Sequence, residues 1–174
     1  MKHILTILLV FTFITIGCDT TTKSNDNDEI QSHSTINIKN GTEYFNFATN
    51  SGSTDETSAY DVVFYSELFQ PQGMPFPISD PRFRVKEGRS IAVVNAEDLE
   101  DVTEVPASGT FVTGFTSEFG EWYNTSEGNL VIPQDKVYVV NTTDGNFPAF
   151  EITNYYDEDG ESGVFTIEWK YLSE

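Results

Sequence analysis

The side chains able to take part in chemistry are few and scattered. The 174 residues hold one cysteine (Cys18), two histidines (His3 and His33) and two methionines (Met1 and Met74). A single cysteine rules out a disulfide within the chain. His33 alone, once the N-terminal segment is set aside, gives no pair for an imidazole zinc site and no partner set for a catalytic triad. Carboxylates are the remaining reactive class, and among 28 Asp and Glu close pairs of the glycosidase kind arise by chance. No enzyme is expected. The acids of "DEDGE" (157–161) alternate as in a calcium loop, but Ser162 stands where an EF-hand loop needs glycine, so an acidic turn is the simpler reading. No metal site is expected.

Two other groups of residues have a binding reading. Arg82, Arg84, Lys86 and Arg89 fall within eight residues, and alternation places the first three on one strand face. Such a row either keeps an exposed strand from pairing with other chains or docks a carboxylate ligand or an acidic partner. Trp122, Tyr123 and Tyr155 are either core residues or the lining of a groove for a sugar or a planar ligand.

The elements that must position these groups begin after an N-terminal segment. Lys2 and His3 precede an apolar run over 4–16, which has signal-peptide length and is too short to span a bilayer. The run ends in "TIGC", which resembles a bacterial lipobox with Thr15 at its first position. Residues 1–17 are read as a lipoprotein signal peptide, Cys18 as the lipidated residue and 18–34 as a polar tether; an ordinary secretory signal is the alternative. The folded part, 35–174, then contains no histidine. Removing Lys2 with the signal leaves eight of the nine Lys and Arg against 28 acids. That charge repels phosphate backbones, so no nucleic-acid partner is expected. Membrane contact is expected through the lipid anchor.

Beyond residue 34 the pattern is one of short strands. "TINIK" (35–39), "EYFNFAT" (43–49), "RFRVK" (82–86), "SIAVV" (90–94) and "GTFVTGF" (109–115) alternate or read as strands. "AYDVVFYS" (59–66) is apolar on both faces, as a central strand requires. "FQPQGMPFPISDP" (69–81) contains four prolines and reads as a loop. "AEDLEDVTEVP" (96–106) is the one short helix or turn expected. "EWYNTSEGNLVIP" (121–133) reads as a hairpin. Residues 137–171 read as three strands joined by Asp144-Gly145 and Asp159-Gly160 turns. In the last strand Phe165, Ile167 and Trp169 share the inward face. The fold class is all-β, mostly antiparallel, with few or no helices.

Four stretches together resemble one family. "KVYVVNTTDGNFPAFEITNYYDEDGESGVFTIEWKY" (136–171) is similar to the C-terminal signature of the HmuY family, haem-binding lipoproteins of Bacteroidota. "EYFNFAT" followed by "AYDVVFYS" is similar to its early strands, with Tyr60 where Trp is usual. "LEDVTEVP" resembles its loop before a proline, and "EWY" leading to "LVIPQDKVYVV" its approach to the C-terminal hairpin. The resemblance implies an HmuY-like all-β domain and a surface or outer-membrane lipoprotein. It implies haem held between loops by two axial His or Met side chains, and transfer of that haem to a TonB-dependent outer-membrane receptor. The loop after Trp122 holds no His or Met, so the family's axial pair is missing there. Met74 and Tyr123 are the remaining candidates for binding haem iron. A carbohydrate- or protein-binding surface lipoprotein without haem is the alternative.

Overall fold

The computed structural model describes residues 29–173, apart from 119, 126–129 and 143. Numbered along the chain, six strands form an antiparallel sheet in the order β1 (Gln31–Ser34), β12 (Ser162–Leu172), β11 (Phe147–Tyr156), β10 (Val137–Asn141), β6 (Ser90–Val94) and β7 (Val112–Thr113). A four-stranded antiparallel sheet has the order β3 (Ser51–Ser53), β2 (Glu43–Asn46), β4 (Val62–Phe69) and β5 (Ile78–Val85). A small hairpin pairs β8 (Tyr123–Thr125) with β9 (Val131–Pro133). Helical structure among the described residues is confined to three-residue turns such as Leu99–Asp101. The all-β, mostly antiparallel class is the one the residue pattern implied.

The two larger sheets pack face to face because each presents alternate apolar side chains. Phe45, Val62, Phe64, Phe83 and Val85 from the smaller sheet meet Tyr138, Phe150, Phe165, Ile167 and Trp169 from the larger one. Aromatic edges join the layers: Phe64 lies 5.0 Å from Phe165, and Phe83 lies 4.8 Å from Tyr138 between ring centroids. Offset and edge-on contacts of this kind add to the burial of large apolar area. β4 is an inner strand, as its two apolar faces require. On the far side of the larger sheet, Val137 and Val139 alternate with Tyr138 and Val140 and form a second core with Leu99 and Val102. β10 is therefore buried on both faces.

Several boundaries differ from the expectation. The strand next to β12 is Gln31–Ser34, paired from Gln31↔Trp169 to Ser34↔Thr166, and "TINIK" is not a strand. Asn37 diverts the chain, because its Oδ1 accepts the Lys39 amide at 3.1 Å in place of a ladder bond. The fold thus reaches four residues into the segment read as tether. β5 begins at Ile78 and includes Pro81, tolerated because β5 is a sheet edge. "GTFVTGF" contributes only Val112–Thr113 to a sheet. Among the described residues of both Asp-Gly turns, only the glycine has positive φ, +81° at Gly145 and +81° at Gly160. Five residues therefore separate the strands at each turn, instead of a two-residue turn that needs positive φ at both positions. In the second turn the Asp157 carboxylate accepts the amides of Asp159 and Glu161 at 3.0 and 2.8 Å; that is how "DEDGE" uses its first acid.

Candidate functional site

One end of the sandwich leaves apolar side chains in solvent. Phe64, Ser66 and Leu68 share a face of β4, and Phe64 is fully buried while Leu68 is 74% exposed. The β4–β5 hairpin thus overhangs the core and carries its inward face past the opposite sheet. Pro71, Pro75 and Pro77 prevent further pairing between the two strands. Gly73, at φ +91°, turns the chain, and the Met74 amide donates to Pro71 O at 3.1 Å. Met74 and Phe76 stand out at 46% and 61% exposure.

A second arm rises beside the first. Residues 116 and 117 run antiparallel to β5, with an Arg84↔Thr116 bridge and the Ser117 amide donating to Phe83 O at 2.8 Å. The same course continues as Trp122 Nε1 donates to Pro81 O at 2.9 Å and Tyr123 to Asp80. β8 therefore points toward the tip of the β4–β5 hairpin. The exposed Leu130 and Ile132 lie in or beside its partner β9. Beneath Leu68, a depression of ≈ 510 Å³ is lined by Ile38, Lys39, Gly41, Thr42, Ser66 and Ser79. Its lining is mixed, with Lys39, Thr42, Ser66 and Ser79 beside the apolar Ile38 and Leu68.

The family model for the HmuY protein matches residues 37–169. This chain belongs to the HmuY family. Among solved structures, a Bacteroides vulgatus ATCC 8482 protein designated HmuY-like and heme-binding is 16% identical, with a TM-score of 0.55, covering 83% of this chain and 93% of that one. A protein from Bacteroides fragilis NCTC 9343 designated a lipoprotein is 14% identical at TM-score 0.55, covering 87% and 92%. The apo HmuY analog of Tannerella forsythia is 14% identical at TM-score 0.53, covering 86% and 100%. At these identities the likeness is one of fold. No curated protein matches the chain.

The HmuY-family reading asks where His and Met stand. Met74 is at the exposed tip, so its thioether is free to approach a ligand from solvent. Tyr123 is not such a residue. It is 3% exposed, its hydroxyl donates to Asp80 Oδ1 at 2.9 Å, and burial pushes that hydroxyl far above its ordinary range. Tyr123 and Trp122 are core residues, as is Tyr155; Tyr123 would have to leave the core to reach iron. Cys18 lies outside the described residues.

His33 corrects the expectation of a histidine-free fold. It sits in β1 with Nε2 2.5 Å from Glu43 Oε1, and its ring lies 4.5 Å from that of Phe45. Glu43 is 3% exposed, and its second oxygen accepts the Ile36 amide at 2.6 Å. This partly buried pair fastens β1 to β2. The polar "QSHS" gave no apolar alternation from which to foresee it. Among the described residues no cluster of three or more His, Cys, Asp or Glu is placed to hold a metal. The side chains that the tip turns to solvent are one thioether, Met74, and the apolar Leu68 and Phe76.

Proposed function

We propose that this chain is a lipid-anchored outer-membrane or cell-surface binding protein whose hairpin end takes a flat tetrapyrrole, haem being the family's ligand. The exposed Met74, flanked by Leu68 and Phe76 on the β4–β5 overhang, carries the reading. Leu68 and Phe76 would offer apolar surface to the ring, and Met74 would offer its thioether as an iron ligand. Bound haem supplies an iron able to take axial ligands from the protein. One thioether gives less than a His or Met pair, so affinity is micromolar or weaker, about 8 kcal/mol or less. A TonB-dependent outer-membrane receptor is the proposed recipient. The designation of the Bacteroides fragilis structure as a lipoprotein supports the anchor, and the designation of the Bacteroides vulgatus one as heme-binding supports the ligand.

Haem titration of the purified chain tests this, with wild type beside Met74→Ala. A Soret shift that saturates in the micromolar range and weakens at least tenfold in Met74→Ala is expected. A tight six-coordinate spectrum unaffected by the substitution would move the site elsewhere. A spectrum of free haem in both would leave the tip to a ligand other than haem, such as a carbohydrate or a protein.

A further inference from the structure

The outer face of the four-stranded sheet is unlike the rest of this acidic molecule. Tyr44, Val63, Tyr65, Arg82, Arg84 and Lys86 alternate with core residues of β2, β4 and β5 and its edge, and so turn away from the sandwich. The register sets Tyr44 opposite Val63, Val63 opposite Arg84, and Tyr65 opposite Arg82. Val63 is only 1% exposed although it faces outward, so its neighbours' side chains cover it.

The cations on this face are not equally committed. Arg82 is held by Asp80 at 2.6 Å and Glu67 at 3.0 Å. Arg89, beyond the strand, pairs with Asp61 at 2.8 Å. Arg84 has no carboxylate within ion-pair distance among the described residues. The Lys86 ammonium rests 4.4 Å above the Tyr60 ring, and Tyr60 in turn meets Tyr44 edge-on at 5.0 Å. In a chain of net charge −19, this is a cationic strip framed by partly exposed tyrosines. The exposed Glu87 follows Lys86 in the turn, beyond the end of the strip.

We propose that this sheet face binds an acidic glycan, with Arg84 and Lys86 holding its carboxylates or sulfates and Tyr44 and Tyr65 receiving the sugar rings. Guanidinium forks recognise such anions in two-point fashion, and aromatic faces take the apolar side of a sugar. An acidic peptide is the less suitable occupant. The edge of β5 that an added strand would need is engaged by Phe115 and Ser117, with Val85 N donating to Phe115 O at 3.2 Å and Ser117 N to Phe83 O at 2.8 Å. With the β5 ladder taken up beside Arg84, a ligand that lies across the face is favoured.

The test uses the detergent-purified full chain on an array of uronate-bearing, sulfated and neutral glycans, followed by titration with hexagalacturonate and its methyl ester. Retention of acidic glycans only is expected, with binding that weakens as salt rises. Arg84→Gln and Tyr65→Ala should each weaken hexagalacturonate at least tenfold, while Arg84→Lys retains part of the binding and Met74→Ala leaves it unchanged. Should Arg84→Gln fail to fold, as its thermal transition would show, Lys86→Gln serves as the second probe of charge. Absence of acidic-glycan retention, equal binding by the charge variants, or competition by polyglutamate as strong as by hexagalacturonate would each overturn the proposal.

Discussion

Glu151 and Glu168 stand directly opposite each other on β11 and β12. Burial, then the charges of Glu168, Asp98 and Glu100, raise the Glu151 carboxyl from its ordinary value to about 7. The folded chain therefore binds this proton more tightly than the unfolded chain does. Ionised Glu151 destabilises the fold above pH 7, and that penalty is relieved as pH falls from 7 toward the unfolded value of 4.5. Glu151→Gln should stabilise the protein by ~1 kcal/mol at about pH 8, a magnitude reduced for solvent screening, and by much less at about pH 5. Urea midpoints of the two proteins measured at both pH values check it; an equal gap at both would refute the assignment. This residue was not legible in the chain, since a carboxylate alternating outward reads as solvated. The partner of the Tyr123 hydroxyl was hidden for a related reason: Asp80 lies 43 residues away. Phe165, Ile167 and Trp169 were legible because alternation alone fixes their face, and all three are buried.

At the level of elements, glycine and proline were the reliable signals. Gly145 sits at φ +81° with nothing within 4 Å of the place its Cβ would occupy. A side chain there meets open space, so any penalty comes from backbone conformation alone. Gly145→Val should lower stability by about 1 kcal/mol or more, seen as a lower denaturation midpoint with unchanged slope. An unchanged midpoint would mean the turn relaxes into a form without positive φ. Asp144 keeps the turn in shape from the other side: its carboxylate accepts the Thr142 hydroxyl and the Asn146 amide, which holds its pKa below the usual range. Prolines marked the β4–β5 connection, although Pro81 belongs to the strand that follows. What stayed hidden were short edge strands. β1 has no apolar rhythm and depends on β12 for its hydrogen bonds and on Glu43 for its histidine, so its identity lies in partners distant in sequence.

For the whole molecule, the family and the antiparallel all-β class were legible because many weak local signals agreed. The ligand was not, since it depends on which side chains converge where loops meet. The proposed anchor belongs to this scale as well: Cys18→Ser should move the protein from the membrane fraction to the soluble one, and equal recovery with membranes would refute lipidation. β1 connects that anchor to the fold in a particular direction. It runs from Gln31, opposite Trp169, to Ser34, opposite Thr166, and so travels toward the end of β12 where Ser162 lies near Lys39 and the overhanging hairpin. An anchor at Cys18 would thus hold the chain from the end of the sandwich remote from Met74. A partner gripping the hairpin end while the anchor holds fast would load β1 along its own length. Its ladder to β12, which runs crosswise to the strand, would then be sheared as a set instead of being unzipped bond by bond. The His33–Glu43 pair adds a cross-pin to the joint that bears this tension.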